Sequence, residues 1–436
     1  MPVHRQPGTI LTDHRIQVPL DHAEPDGEQI EVFAREVVAV KKDSDRLPWL
    51  LFLQGGPGNR SPRPLGRDGW LARALDDYRV LLLDQRGTGL STPANRRTLP
   101  ARGDAAAQAE YLSHFRADSI VRDCEAIRRR LLGEDKSWSV LGQSFGGFCA
   151  VSYLSFAPDA LDEVLITGGL PGLRTPAQEV YRAAYPRIQR KNAAHYARYP
   201  DDVEAVRDIA RHLRERPAEL PGGGVLTPRA FQALGLMLGS GTGSHTLHYL
   251  VEDAFVTGPA GRVLSDSFLA EVQGHLSFAG GPLYALLHEA IYGQVSVSAR
   301  GTHWAAETVR GEFPAFDADA ALDGDGPVLF TGETIHPWMF ETDPALAPLR
   351  ETADLLAQRE QWPDLYDPAR LAQNRVPVAA AVYHDDMYVD TADSLETARA
   401  IRGLRTWVTD EYEHDGLRAS GGQVLDRLVQ LVRGER

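Results

Sequence analysis

Ser144 stands in the run Gly142-Gln-Ser-Phe-Gly-Gly147. The apolar stretch 138–141 before it reads as a strand, and 148–157 after it reads as a helix. A serine on a sharp strand-to-helix turn holds its Oγ clear of the backbone. The flanking glycines let neighbouring chain pass without a Cβ in the way. A hydroxyl becomes a nucleophile only beside a base, and the base needs a carboxylate to orient it. With this kind of turn, the acid and then the base are expected further along the chain. His384-Asp-Asp-Met387 follows the strand-like run 377–383, and Asp386 is assigned as the acid, with Asp385 the alternative. His414, in Glu411-Tyr-Glu-His-Asp-Gly-Leu417, is the only histidine after the last strand-like run, 404–409. The chemistry implied is acyl transfer: Ser144 attacks a carbonyl, His414 carries the proton, and Asp386 stabilises the imidazolium. Two N–H groups must meet the developing oxyanion, each worth about 3–4 kcal/mol. Phe145 supplies one and Gly56, in Gln54-Gly-Gly-Pro-Gly58, the other, because Pro57 has no N–H to give.

These residues need a frame. Short apolar runs over 48–53, 78–84, 138–141 and 161–167 alternate with a helical period over 118–132 and 148–157, and 30–40 reads as a further strand. Such alternation predicts an α/β fold with a mostly parallel central sheet covered on both faces. From about residue 170 the rhythm changes. Residues 172–300 carry helical periodicity without clear strands, broken by loops over 221–225 and 239–244. Strands return over 377–383 and 404–409, and an amphipathic helix follows over 422–432. The expected organisation is a first core part over 1–170, a mainly helical cap over 171–365 and a second core part over 366–436.

The 436 residues hold 46 Lys and Arg against 60 Asp and Glu, a net charge of −14 with no basic run. Such a surface repels phosphate, so no nucleic-acid partner is expected. Cys124 and Cys149 are the only cysteines, and both lie in apolar periodic stretches. Buried free thiols are expected rather than a disulfide framework or a zinc site. No metal and no cofactor is expected. The first residues lack the apolar core of a secretory signal, and no stretch of 18 apolar residues is present, so a cytoplasmic protein without membrane contact is expected. Asp84-Gln-Arg-Gly is read as a structural turn, with Arg86 tying neighbouring loops. The oligomeric state is not legible.

Gly55-Gly-Pro-Gly58, Asp84-Gln-Arg-Gly-Thr-Gly-Leu-Ser91 and Gly142-Gln-Ser-Phe-Gly-Gly147 together resemble the prolyl aminopeptidases, or proline iminopeptidases, which are serine peptidases of the α/β-hydrolase fold. The resemblance covers about 30–170 and 377–420 and is nearest to the longer bacterial form with an enlarged helical cap. It implies release of N-terminal proline from small peptides with a free N-terminus. Its Ser, Asp and His fall on Ser144, Asp386 and His414. Gln54 stands where the family usually has His, and His384 where it usually has Gly near the acid. The family binds the substrate's ammonium with cap glutamates. Glu289 and Glu333, both in apolar or aromatic surroundings, are the candidates; a solvated helix charge is the plain alternative for the first and a capping carboxylate for the second. Tyr292, Trp338, Phe145 and Phe340 are expected to wall the proline ring. The competing expectation is an esterase or amide hydrolase that needs no free amine.

Overall fold

The computed structural model describes residues 2–259 and 261–435. Its first half builds most of one sheet. Strands β1 (Val3–Gln6), β2 (Thr9–Pro19) and β3 (Gln29–Ala39) form an antiparallel meander. β3 then pairs antiparallel with β5 (Arg79–Leu83), and β5 pairs parallel with β4 (Trp49–Leu53). β6 (Trp138–Gln143) and β7 (Leu161–Thr167) continue the parallel run. These strands are buried almost throughout, so they read as continuous apolar runs rather than alternating ones. β1 and β2 escaped the sequence reading. The exposed residues of β1 and the mixed polar sequence of β2 hide their pairing, which tertiary neighbours supply.

Between β7 and the next core strand lies the cap. It is mostly helical, but it holds two short hairpins absent from the expected pattern: β8 (Ala218–Glu219) with β9 (Val225–Leu226), and β10 (Phe255–Gly258) with β11 (Gly261–Leu264). Strands of two to four residues leave no readable alternation. The expected loop over 221–225 contains the turn of the first hairpin. The cap has its own core, in which Tyr185, Ile188, Val206, Phe231, Phe268 and Phe330 are packed together. A separate cluster joins it to the first part of the chain, with Leu112 and Phe115 against Leu283, Leu286 and Trp362.

β12 (Val378–Tyr383) and β13 (Leu404–Thr409) close the sheet, whose order is β1-β2-β3-β5-β4-β6-β7-β12-β13. Helices Ala117–Leu132 and Phe145–Phe156 cover one face. Helices Gly69–Asp77 and Gln423–Arg433 cover the other. Register then fixes the site. Gln143 lies opposite Thr167, Thr167 opposite Ala381, and Tyr383 opposite Thr409. The carboxyl ends of β6, β7, β12 and β13 therefore finish along one edge, about 4.8 Å from strand to strand. The turns that leave those ends carry Ser144, Gly168, Asp386 and His414.

Arg86 is buried and donates to both oxygens of Asp123 and to the carbonyls of Pro19, Leu20 and His114. Asp84 accepts from Arg63, Ser61 N and Leu90 N. The Asp-Gln-Arg-Gly turn is thus a structural knot, as its sequence suggested. Among the described residues no helix is long and apolar enough to cross a membrane.

Candidate active site

Ser144 has φ 55° and ψ −125°, a left-handed conformation that a side chain adopts only under constraint. The constraint is visible. Ser144 N donates to Thr167 O at 3.0 Å, and helix Phe145–Phe156 starts at the next residue. That helix sits hard against the sheet: a Cβ on Gly146 would fall 1.9 Å from Leu53 O. The loop Gln54–Gly58 lies alongside, since a Cβ on Gly55 would come within 2.8 Å of Ser144 Cβ. Gln85 Nε2 holds this loop by donating to Gln54 O at 3.0 Å, a tie that does not depend on the side chain at position 54. Among the described residues neither Gly56 N–H nor Phe145 N–H donates to a protein acceptor.

Asp386 follows β12 and is 1% exposed. Its Oδ1 accepts from Tyr388 N at 2.8 Å and Val389 N at 3.1 Å, which fixes the carboxylate. Its Oδ2 lies 2.7 Å from His414 Nδ1. Asp385 is exposed and bonds only the neighbouring His384, so the contact belongs to Asp386. With Nδ1 engaged, Nε2 is the nitrogen left for proton transfer. Burial lowers the His414 pKa, but the charge and hydrogen bond of Asp386 outweigh it, and the net shift is upward. Ser144 and His414 both border the Gly168-Gly169 turn. A Cβ on Gly169 would lie 3.1 Å from Ser144 N, and one on Gly168 would lie 3.1 Å from His414 Nδ1. No hydrogen bond joins the two side chains among the described residues, a bond that tightens with substrate in many such sites.

The two glutamates part company. Glu333 lines a cavity of about 220 Å³ in the cap, together with Tyr284, Trp338, Phe278, Leu236 and Met339. Ser144 and His414 are not in its lining. Glu333 accepts from Tyr284 Oη. Burial first, then the Glu333 charge, raises the phenol pKa values of Tyr284, Tyr388 and Tyr292. The Glu333 charge also contributes, behind Asp386, to the upward shift of His414.

Glu289 is 7% exposed and does something else. Its Oε1 accepts from Ala306 N at 2.9 Å and its Oε2 from Ala305 N at 3.1 Å. His303 and Trp304, at φ 49° and 58°, swing those amides toward it. Helix Ala305–Arg310 has no side-chain cap of its own, and Glu289 supplies that function from sixteen residues away. Both Glu289 oxygens are already held by backbone donors, which weighs against its expected role at an ammonium. Glu289 is thus a buried capping carboxylate and not a solvated helix charge, while Glu333 lines the cavity.

Of the aromatic wall, Trp338 lines the cavity and stacks on His336 at 5.8 Å. Tyr292 meets Phe148 edge-on at 6.2 Å, and Phe148 meets Phe145 in the same way. Phe340 does not take part: it is 1% exposed and packs on Trp304 at 5.6 Å. Two residues went unread. Tyr284 shares the segment that drew notice to Glu289, and its i,i+4 spacing from His288 was the available signal; the rings stack at 5.0 Å. Tyr388 packs edge-on against His414 at 4.7 Å, which nothing local foretells.

A strained serine at the end of β6, an acid after β12 and a histidine after β13, beneath an inserted cap, define an α/β hydrolase. Residues 48–208 match a family model described as alpha/beta hydrolase fold. A proline iminopeptidase of Aeromonas sobria is 50% identical over 421 residues, covering 96% of each chain. One of Aspergillus aculeatus is 38% identical over 444 residues, covering 98% of this chain and 95% of its own. A tripeptidyl aminopeptidase of Streptomyces lividans is 26% identical over 47% of this chain and 43% of its own. The chain belongs to the proline iminopeptidase family.

Proposed function

We propose that the protein is a serine aminopeptidase that releases proline from the free N-terminus of small peptides. His414 Nε2 takes the Ser144 hydroxyl proton as Oγ bonds to the proline carbonyl carbon. The N–H groups of Gly56 and Phe145 hold the oxyanion of the tetrahedral adduct. The adduct then breaks its C–N bond, and His414 returns the proton to the leaving amine. Water, deprotonated by His414, attacks the prolyl ester and frees proline and Ser144. Asp386 keeps the imidazole oriented and stabilises its protonated form throughout.

Glu333 is the proposed anchor for the substrate's ammonium. The observation that carries this reading is a carboxylate lining an otherwise largely apolar cavity and accepting from the Tyr284 phenol. A charge-assisted bond there would mark the chain end, and an esterase has no use for it. Tyr292, Trp338 and Phe145 would face the pyrrolidine ring. The two free buried cysteines suit a reducing cytoplasm.

Comparing proline arylamide with its N-acetylated form tests the reading. Cleavage confined to the free amine is expected. Equal turnover of the blocked compound would replace it with an esterase or general amidase.

A further inference from the structure

The loop that carries His414 is gripped from the cap. Cap residues Leu236–Gly241 lie across it. His414 N donates to Gly239 O at 3.2 Å, and Gly241 N donates to Asp415 Oδ1 at 3.2 Å. Tyr388, whose ring packs on His414, donates its hydroxyl to Leu236 O. A second grip comes from cap helix Ala177–Arg198, where Lys191 Nζ meets both Glu413 oxygens at 2.5 Å. Lys191 is 14% exposed and Glu413 29%, so the pair is largely sheltered from water. The fit is tight at one point: a Cβ on Gly239 would fall 2.1 Å from Tyr388 Cζ. Glycine is needed there because the ring that supports the imidazole occupies the space.

The core holds this loop through Leu417 and Tyr412, which pack in its apolar cluster. Asp386 fixes one nitrogen of the ring, and beyond Thr409 the backbone leaves the sheet. The backbone amide of the histidine itself is satisfied only by the cap. The same cap segment also lines the cavity, through Ala233 and Leu236.

We infer that Gly239, Gly241 and Lys191 are positioning residues of the reaction, setting the His414 imidazole against Ser144 from outside the lining of the cavity. The inference rests on the proposed serine mechanism. It makes the cap part of the proton-transfer machinery and not only a lid that selects the substrate.

The test uses the full-length protein and proline arylamide. Lys191→Met is expected to lower kcat about tenfold with KM within twofold, since small displacements of a catalytic group act on the chemical step. Lys191→Arg should recover most of that loss. Gly239→Ala should lower kcat further, by about 100-fold. Both damaged variants should shift the acidic limb of the kcat/KM profile, while Leu65→Ala, an exposed change far from these contacts, should leave it in place. Melting curves identify any variant that fails to fold, and Lys191→Met together with Glu413→Gln then carries the test: their effects on kcat should be non-additive, with a double variant no worse than either single one. Wild-type kcat and an unmoved pH profile in folded Lys191→Met and Gly239→Ala would overturn the inference. Ser144→Ala separates this from failure of the underlying mechanism, because an active Ser144→Ala enzyme would refute the mechanism itself.

Discussion

The core and the cap place their functional groups by different means. In the core, each group sits on a turn leaving a parallel strand, and sheet register brings the turns together. Local rules suffice: glycine where backbones touch, a strained serine, an acid and a histidine each one turn past a strand. In the cap, Glu333 lies in a non-helical segment, Phe330–His336, and its surroundings come from distant Tyr284, Tyr292 and Tyr388. Helix ends and apolar packing make that environment, and no single motif encodes it. The core therefore supplies the reacting groups, while the cap supplies the proposed anchor for the chain end and contacts to the histidine loop.

Substitutions sharpen this division. Ser144→Ala should cause the largest loss, about 10⁴- to 10⁶-fold in kcat, with the fold intact by circular dichroism. Asp386→Asn should cost about 10⁴-fold, because an amide allows the wrong imidazole tautomer. Both losses should fall on kcat, with KM for proline arylamide little changed. Glu333→Gln should behave otherwise. It should raise KM for proline arylamide roughly 10- to 100-fold, the worth of one bond to a charged group, and leave kcat nearer to wild type. A fall in kcat with an unchanged KM in Glu333→Gln would erase the proposed division of labour.

Glu289→Gln tests the capping role within the cap. One oxygen becomes an amide donor facing a backbone N–H, so a stability loss of about 1–3 kcal/mol is expected by thermal melting. KM should hold. A large KM change at unaltered stability would return Glu289 to the substrate site.

The smallest effect concerns pH. The His414 pKa is raised above the usual 6.5, so the acidic limb of kcat/KM should lie above that value. The same shift has a sign for stability. The protonated form is favoured by folding, so His414 stabilises the fold below about pH 6.5, and this contribution fades as pH rises through the higher folded value. Asp386→Asn removes the charge that lifts the pKa and should move the limb downward. An unmoved limb would assign it to another group.

Much of the core was legible. Expected strands at 161–167 and 404–409 coincide with β7 (Leu161–Thr167) and β13 (Leu404–Thr409), and helix Ala117–Leu132 starts one residue before its expected position. Apolar runs of strand length and helical apolar spacing mark such elements in the sequence, even though β13 itself is largely exposed. The cap was legible only as helical. Its hairpins are too short for periodicity, and its two candidate glutamates look alike in sequence. Helix Ala305–Arg310, whose start Glu289 caps, lies sixteen residues further on, too far for a local signal.

The order of Ser144, Asp386 and His414, and the glycines that let strand, loop and helix touch, were determined by sequence alone, because backbone geometry at a turn depends on a few adjacent residues. The tertiary structure alone decided that Asp386 and not Asp385 meets His414, that Glu289 caps a helix while Glu333 faces the cavity, and that the cap grips the histidine loop. Those outcomes depend on which groups become buried together. A carboxylate's role follows from the donors and charges that surround it once water is gone, and these come from segments far apart in the chain.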